Sequence, residues 1–482
     1  MIKPNIDRSN PCNIVIVGAS GDLCKRKLIP ALFALFSQDL LPENFAIFGF
    51  ARSKMDDATF RETISEFVEC RYVSCDISCT EKVNYFLSRC FYFAGNYNST
   101  DDFKQLEKAI QKKGVAAANR LFYMSIPPSI FIETSHSIRD SGIMKTDSNR
   151  WSRIVLEKPF GRDRASSDAL RESMKQGFTN DQIYRIDHYL GKEVIQNLLV
   201  LRFANLIIEP IWNRNYIDHV SIRFSEDLGL EGRAGYFDQF GIIRDVIQNH
   251  LMQTLALIAM EQPISLEAND IADEKVKVLR CVQPLTLDQV LTGQYTIGIK
   301  DGKKRKGYLE EEGVPPDSTT ETFAQLKLHI NNARWSGIPF YLSAGKALKT
   351  RKTEIHIVFK KIPHSIFNHK EELVCANDLH IRIQPNEAIE LHLANKVPGL
   401  GMEMEKVKLN MLYQSTFSKT LPDAYERLLY DVLRGDHSLF IQDEELAVSW
   451  DIVTPILHEL ENKKIKPKPY PFGSTGPAEA RK

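Results

Sequence analysis

The first third of the chain alternates short apolar runs with segments of helical spacing. Residues 14–17 (IVIV) are apolar and mostly β-branched, GASGDL interrupts them, and KRKLIPALFALF then repeats apolar residues at helical intervals. Further strand-like runs begin at Phe45, Arg120 and Arg153. Strands that alternate with helices are typical of a parallel α/β sheet. The pattern therefore predicts an α/β domain over residues 10–187.

The pattern changes in the second part of the chain. Residues 193–206 form one helical stretch, after which apolar and polar residues alternate in HVSIRFSED, KLHINNARW, TEIHIVFKK and LHIRIQP. A period of two is typical of strands with one face towards water, as in antiparallel sheets. We therefore predict a C-terminal β+α domain, residues 188–482, with a large, mainly antiparallel sheet. The tail KKIKPKPYPFGSTGP is predicted to be an extended, partly mobile arm.

Composition narrows the class of protein. The 482 residues exceed the size of about 250–300 residues at which one core stops growing, which agrees with two domains. The 62 basic residues balance the 62 acidic ones, so nucleic acid is not an expected partner. The sequence has no apolar run of about 18 residues, so a membrane partner is not expected, and no signal-peptide pattern is present. A soluble intracellular protein with reduced thiols is expected.

GASGDL follows the first strand directly and opens a helix. Gly18 and Gly21 allow a tight turn, so that free N–H groups at the helix start can meet a pyrophosphate. This position predicts a Rossmann-like dinucleotide-binding domain. The second strand ends at Arg52, with no acid before Asp56, and an arginine there favours the 2′-phosphate of NADP over NAD. A surface arginine in a turn is the alternative.

Three further segments carry ionisable residues. Lys158 of EKPFG follows a predicted strand, where ligands of parallel sheets bind, although a surface lysine is the alternative. His250 lies on the apolar face of the predicted helix 242–260, either as a satisfied core residue or as a general base. RIDHYLGKE, residues 185–193, is either a solvated turn or a phosphate site. Its Asp187 is a candidate to orient His250, at a predicted domain junction.

Together, GASGDL, EKPFG, RIDHYLGKE and QNH closely resemble the glucose-6-phosphate dehydrogenase family in order and separation. RIDHYLGKE matches the family's active-site signature at every position, and the likeness runs from CNIVIVGASGDL to PFGSTGPAEA through FSED, GKAL and PDAYERL. The resemblance implies oxidation of D-glucose 6-phosphate at C1 to 6-phospho-D-glucono-1,5-lactone. The implied hydride acceptor is NADP, in the first step of the oxidative pentose phosphate pathway.

The resemblance also implies the site residues. His250 would be the general base, and Asp187 would orient it. The implied substrate contacts are Lys158, His188, Tyr189, Lys192, Glu226, Asp245, Lys346, Arg351 and Gln384. Of these, the signature residues 188, 189 and 192 would bind the phosphate, assisted by Lys346. The implied coenzyme contacts are Gly18, Ala19, Ser20, Gly21, Asp22, Leu23, Lys25, Arg52 and Lys158.

The cysteines and the segments FARSKM and KVPGLGM are similar to the plastid branch of the family. That likeness implies a regulatory disulfide between Cys70 and Cys79, reduced by thioredoxin, with free thiols or pairing through Cys75 as alternatives. The cysteine spacing is too irregular for a zinc site, and no metal is predicted. The plastid stroma is the implied compartment, without a transit peptide in this chain, and the cytosol is the alternative. A homodimer or tetramer, or a hetero-oligomer with a related subunit, is expected.

Some positions depart from the family. Cys24 replaces an alanine, Phe131 stands where several relatives carry tyrosine, and Ala234 stands where glycine is usual. A positive φ at Ala234 would strain that loop. The short C-terminus argues against a second, structural NADP. One alternative is therefore that the chain is a catalytically weak paralogue, which acts as a partner subunit of an active enzyme of the family. Another, a dehydrogenase of unphosphorylated glucose, is disfavoured because the phosphate-binding signature is intact.

Overall fold

The computed structural model describes residues 6–72, 76–144, 150–364, 366–367, 376–417 and 420–480, without the side chains of 76–78. These residues form two compact units. The first unit comprises Met1–Gly191, Ile264–Ala272 and Pro422–Asp443. The second comprises Lys192–Pro263, Asp273–Leu421 and Glu444–Lys482. Both units are therefore built from segments that are distant in the sequence.

The helices are named in chain order. They are α1 (Ile29–Ser37), α2 (Asp57–Ser65), α3 (Asp76–Ser88), α4 (Thr100–Lys113), α5 (Phe131–Ser141), α6 (Arg164–Lys175), α7 (Glu193–Phe203), α8 (Ala234–Phe237), α9 (Met252–Ala259), α10 (Ala268–Leu279), α11 (Tyr413–Phe417), α12 (Ala424–Arg434) and α13 (Asp443–Asn462). Two π-helical segments, Cys24–Leu28 and Ile243–Leu251, lead directly into α1 and α9. Among the described residues, no helix combines the length and apolar character needed to cross a membrane.

The first unit contains a fully parallel sheet. Its strands are β1 (Cys12–Val17), β2 (Phe45–Ala51), β3 (Cys90–Ala94), β4 (Asn119–Met124), β5 (Ser152–Leu156) and β6 (Ile183–Arg185). They lie in the order β3-β2-β1-β4-β5-β6, and every neighbouring pair is parallel. This is the doubly wound dinucleotide-binding order. The predicted Rossmann-like fold is confirmed, and β1 is buried along its whole length, as a central parallel strand should be.

The second unit contains a large mixed sheet. Its strands are β7 (Ile217–Ser225), β8 (Val290–Thr296), β11 (Phe323–His329), β12 (Pro339–Gly345), β13 (Lys352–Phe359), β14 (Asp378–Gln384), β15 (Ala388–Lys396), β16 (Met404–Leu412) and β17 (Lys468–Pro471), besides the small hairpin of β9 (Gly298–Lys300) and β10 (Lys303–Arg305). The order is β16-β15-β14-β13-β7-β12-β11-β8-β17. Only the β7–β12 and β8–β17 pairs of this sheet are parallel. The predicted mainly antiparallel sheet is confirmed.

The C-terminal arm is extended, as predicted, but the prediction that it is partly mobile is wrong for residues 468–471. Residues 468–471 form β17, which pairs with β8 at the edge of the large sheet. An edge strand tolerates its two prolines, because the missing N–H groups can face away from the neighbouring strand. Tyr470 is only 1% exposed, and its hydroxyl lies 2.8 Å from both Thr322 Oγ1 and the Lys346 carbonyl oxygen. A buried aromatic residue thus anchors a segment whose composition suggested flexibility.

The helix predicted over residues 242–260 is present, but its environment is different. It is π-helical from Ile243 to Leu251 and α-helical from Met252 to Ala259. Nearly every residue of both segments is buried, so the helix has no wet face over this length. The apolar-face argument for His250 therefore does not separate it from its neighbours, since the helix is covered on all sides.

Candidate active site

The glycine turn after β1 is shaped for close approach by a ligand. Gly18 has φ +94°, and a Cβ placed on it would lie 2.0 Å from the Ser125 carbonyl oxygen. Only glycine therefore fits at this position. The Gly18 N–H donates to the Phe50 carbonyl oxygen at 2.8 Å, which ties the turn to β2. The predicted coenzyme residues 18–25 lie on this turn and on the first helical residues that follow it.

Arg52 is exposed immediately after β2. Its guanidinium carbon lies 5.4 Å from the centre of the Tyr97 ring. The next acid, Asp56, caps α2, because its carboxylate accepts the Thr59 N–H at 2.8 Å. The carboxylate is thus engaged in a helix cap, and the arginine is the charged group presented beyond the strand. This arrangement fits a 2′-phosphate better than a free ribose hydroxyl.

The segment EKPFG follows β5 and contains a half-buried carboxylate that sequence reasoning missed. Glu157 accepts hydrogen bonds from the Tyr123 hydroxyl at 2.5 Å and from the Tyr425 hydroxyl at 3.2 Å. Burial raises the pKa of Glu157, although the two phenol hydrogen bonds oppose that rise. The neighbouring Lys158 is half-buried, and the Lys158–Pro159 peptide bond is cis.

RIDHYLG begins at the last residue of β6 and separates into structural and candidate functional residues. Arg185 forms an ion pair with Asp443 at 2.6 Å, so it stabilises the unit. Asp187 is 1% exposed, and its Oδ1 accepts the Tyr189 N–H at 2.9 Å. The His188 ring is half-exposed and lies 5.0 Å from the Tyr189 ring. Of the three adjacent candidates, Asp187 and Tyr189 are buried, at 1% and 2% exposure, and only His188 is partly exposed.

Tyr425, at the start of α12, links two of the predicted segments. Its ring stacks on His188 at 6.2 Å with an interplanar angle of 7°. Its hydroxyl donates to Glu157, next to Lys158. The motif PDAYERL contains Tyr425, but nothing in the local sequence of that motif indicates a contact with residues about 240–270 positions earlier. Only the fold brings these side chains together.

In the second unit, two predicted substrate residues contact each other. Lys192 Nζ donates to Gln384 Oε1 at 2.8 Å. The Gln384 amide in turn donates to Thr353 Oγ1 at 3.2 Å, which fixes its orientation. Arg351, also predicted, is exposed just before β13. Lys192 of the signature is thus held by a hydrogen bond to Gln384 of the large sheet.

Lys346 is the centre of a charged cluster in the same unit. Its Nζ lies 2.5 Å from Glu226 and 3.5 Å from Asp245, and only 11% of its side chain is exposed. Burial lowers the pKa of Lys346, but attraction to the two carboxylates outweighs burial, so the net shift is upward. The ammonium group therefore stays charged at neutral pH. Three residues predicted from separate motifs are brought into one cluster.

His250 lies near the end of the π-helical segment. The imidazole is buried, at 2% residue exposure, and the His250 carbonyl oxygen accepts the Thr254 hydroxyl at 2.8 Å. Irregular π-helical turns inside α-helices are frequent at functional sites. The position agrees with a buried base on a rigid element, although the core-histidine alternative has the same burial.

Ala234, a departure from the family pattern, is not strained. It is the first residue of α8, is 1% exposed and does not have a positive φ. The left-handed positions of this loop are Glu231 and Gly232. The expected loop strain would have required a positive φ at residue 234, so this substitution gives no structural reason to expect weak catalysis.

Cys70 and Cys79 are joined by a disulfide. Cys75, the alternative partner, lies outside the described residues. Between the two bridged cysteines, Arg71 forms an ion pair with Glu426 at 2.8 Å, and the Tyr72 hydroxyl donates to the same carboxylate at 2.8 Å. The disulfide segment is thus connected to α12 within the first unit.

The parallel sheet and the glycine turn define a dinucleotide-binding protein of the Rossmann class. Comparison with known proteins then identifies the family. Residues 15–197 match the model "Glucose-6-phosphate dehydrogenase, NAD binding domain", and residues 199–482 match "Glucose-6-phosphate dehydrogenase, C-terminal domain". The chain belongs to the glucose-6-phosphate dehydrogenase family.

Individual relatives support this assignment. A chloroplastic glucose-6-phosphate 1-dehydrogenase of Nicotiana tabacum is 52% identical over 96% of this chain and 78% of its own length. A cytoplasmic glucose-6-phosphate 1-dehydrogenase of Arabidopsis thaliana is 45% identical over 98% of this chain and 91% of its own length. A solved glucose-6-phosphate dehydrogenase in complex with glucose-6-phosphate has a TM-score of 0.90 and 42% identity, covering 99% of this chain and 97% of that one.

Proposed function

We propose that this chain oxidises D-glucose 6-phosphate at C1 to 6-phospho-D-glucono-1,5-lactone with NADP as the acceptor. The observation that carries this proposal is the cluster of Lys346 with Glu226 and Asp245, together with the contact of Lys192 with Gln384. Two cations are held beside polar acceptors at positions that the family resemblance assigns to substrate. Phosphate and sugar hydroxyls need such charged and hydrogen-bonding groups.

The proposed roles follow from the chemistry of each residue. His250 takes the proton from the C1 hydroxyl, and Asp187 orients and balances the charged imidazole that forms. The signature residues His188, Tyr189 and Lys192 bind the phosphate, assisted by Lys346. The remaining proposed substrate contacts are Lys158, Glu226, Asp245, Arg351 and Gln384. When bound, NADP accepts the hydride that leaves C1.

The residues at the glycine turn fit a dinucleotide. Gly18 leaves room where any side chain would meet Ser125, and the helix N–H groups that follow suit a pyrophosphate. Arg52, exposed over Tyr97, is proposed to bind the 2′-phosphate. Lys25 and Lys158 are the other proposed cationic contacts of the coenzyme. The open space at Gly18 and the exposed Arg52 support this proposed site for NADP.

We expect Arg52→Ala to raise the KM for NADP by about 10- to 100-fold, because a charged hydrogen bond contributes about 1.5–3 kcal/mol. The KM for NAD should change little, since NAD lacks the 2′-phosphate. Initial rates with each coenzyme measure the change, and Arg61→Ala, which removes another first-unit arginine, is the control. An unchanged ratio of kcat/KM values for NADP and NAD would remove Arg52 from the coenzyme site.

The activity itself is tested by NADP reduction with the purified chain. Glucose 6-phosphate should support the reaction, and unphosphorylated glucose should support it poorly, because the phosphate supplies much of the binding energy. A folded wild-type chain that is inactive alone, but changes the activity of a co-expressed relative, would instead support the partner-subunit function.

We also propose that the Cys70–Cys79 disulfide regulates activity and is reduced by a thioredoxin. Arg71 and Tyr72 bind Glu426 only while the segment holds its position, so opening the bridge should alter α12. The rate should differ between dithiol-treated and oxidised enzyme, and thiol titration should gain two groups on reduction. The Cys70→Ser variant should be insensitive to dithiol. Equal activity of wild-type enzyme in both states would contradict the regulatory role.

Two further proposals concern organisation. We propose the domain boundary between residues 187 and 188, with domains 10–187 and 188–482, and a homodimer or tetramer, or a hetero-oligomer with a related subunit, as the assembled form. We propose the plastid stroma as the compartment, with the cytosol as the alternative. The relatives include a chloroplastic and a cytoplasmic enzyme, so the family is found in both compartments.

A further inference from the structure

We propose that Glu321 is a positioning residue that holds the start of the helix carrying Asp245 and His250. This inference rests on the proposed function, because it assigns Glu321 a role through those two residues. Glu321 belongs to none of the motifs that identified the family, and it lies on the short segment that precedes β11.

Glu321 meets the helix start through two hydrogen bonds. Its carbonyl oxygen accepts the Ile242 N–H at 3.0 Å, and its carboxylate Oε1 accepts the Ile243 N–H at 3.1 Å. The first N–H groups of a helix have no partner within the helix and carry its positive dipole end. A carboxylate at this point therefore both satisfies a donor and favours the helix direction.

The loop before the helix is shaped around this carboxylate. Gly241 has φ +72°, and a Cβ on it would lie 2.3 Å from Glu321 Oε1. The neighbouring Thr320 hydroxyl donates to the Asp238 carbonyl oxygen at 2.8 Å. Asp238 is itself held by the Tyr308 hydroxyl at 2.6 Å. Hydrogen bonds and packing from residues 318–322 thus hold residues 238–243 in place.

The same segment also supports the lysine of the candidate site. The Lys346 N–H donates to the Thr322 carbonyl oxygen at 2.9 Å, and the Tyr470 hydroxyl bridges Thr322 and Lys346. Residues 321 and 322 therefore hold the backbone of Lys346 and the helix start that lies two residues before Asp245. A shift of this segment would move the two groups relative to each other, which is how a residue outside the site can affect catalysis.

The charge of Glu321 depends on pH near neutrality. Burial raises its pKa to about 7, opposed by the Ile243 N–H and by Arg244, while Glu461 of α13 adds to the rise. Arg244 and Glu461 form an ion pair of 2.6 Å, so they largely offset each other. The ionised carboxylate accepts the helix N–H more strongly than the protonated acid does. The hydrogen bond from the Ile243 N–H to the Glu321 carboxylate should therefore strengthen as pH rises through about 7.

Three variants and one control test the proposal by kinetics. We expect Glu321→Ala to lower kcat by about 10- to 100-fold without changing the KM for NADP. Glu321→Gln keeps an acceptor for the Ile243 N–H and should lose only about three- to tenfold, whereas Glu321→Asp is too short and should resemble alanine. The control is Glu445→Gln, a fully buried carboxylate of the same unit that pairs with Lys275 at 2.6 Å. It should lower Tm but leave kcat unchanged.

The pH profile separates positioning from general stability. Below about pH 7, log(kcat/KM) should fall more steeply in wild-type enzyme than in Glu321→Gln, since only the wild type also protonates residue 321 there. The raised pKa also means that Glu321 destabilises the fold as pH rises from about 4.5 through about 7. The Tm of Glu321→Gln minus that of wild type should therefore increase between about pH 5 and about pH 8.

Amide hydrogen exchange tests the positioning role of Glu321 independently of activity. Exchange at residues 242–251 should be faster in Glu321→Ala than in wild type and unchanged in Glu445→Gln. Wild-type inactivity towards glucose 6-phosphate would defeat the proposed function but leave this readout valid. The positioning role is overturned if exchange in this segment is unaltered, if Glu321→Ala keeps wild-type kcat, or if the control alters the pH profile equally.

Discussion

His250→Asn should lower kcat for glucose 6-phosphate oxidation by about 10²- to 10⁴-fold, the range that a general base contributes. Asparagine keeps a polar side chain of similar reach but cannot accept a proton at neutral pH. The KM for NADP should remain close to the wild-type value, because the proposed coenzyme residues lie in the first unit. Initial rates of NADP reduction measure both quantities.

A neighbouring residue provides the control for His250. Gln248 lies in the same π-helical segment, is 4% exposed and donates to Ser449 Oγ at 3.0 Å. Gln248→Met should lower stability through the lost hydrogen bond and change kcat by only a few fold. If His250→Asn retained the wild-type rate, the histidine would be a core residue, and the proposed base would have to be another group.

Lys346→Met should raise the KM for glucose 6-phosphate by about 10- to 100-fold and also lower the free energy of unfolding by about 1–3 kcal/mol, because both carboxylates stay partly exposed to water. Methionine has a similar length but no charge, so Glu226 and Asp245 would face each other without their cation. The raised pKa of Lys346 means that the ion pair stabilises the fold at neutral pH and is lost only as pH rises beyond the usual lysine range.

The measurement combines substrate kinetics with chemical denaturation, and Lys300→Met is the matched control. Lys300 pairs with Asp227 at 2.6 Å, and 13% of its side chain is exposed, close to the value for Lys346. The control should lose stability but keep the KM for glucose 6-phosphate. Equal KM changes in both variants would mean that Lys346 acts only through stability.

The parallel sheet could be predicted from the sequence because its strands are buried on both faces. The apolar run that starts at Phe45 is β2, and the run that starts at Arg153 is β5 within one residue. Continuous apolar runs mark such strands clearly. The glycine turn was also predictable, since Gly18 has a backbone requirement that no other residue meets.

The supporting residues could not be predicted in the same way. Glu157, Tyr425 and Glu321 act through partners that are close only in the folded chain, and a single sequence carries no signal for such pairs. The arm prediction was wrong for a related reason. Lysine and proline content describes the local chain, whereas Tyr470 is held by burial against a distant strand and by hydrogen bonds to Thr322 and Lys346.

Residues late in the sequence complete both units, and this sets the order in which the protein can fold. The first unit includes residues 422–443, and in the second unit β17 pairs residue 468 with residue 293. A ribosome delivers the chain from its N-terminus, so the first unit cannot close before residue 443 has emerged, and the large sheet cannot be completed before residue 471 has emerged. Until those residues emerge, the first unit lacks α12 and the large sheet exposes the edge of β8. During translation, that open edge presents unpaired N–H and C=O groups with which other strands can pair.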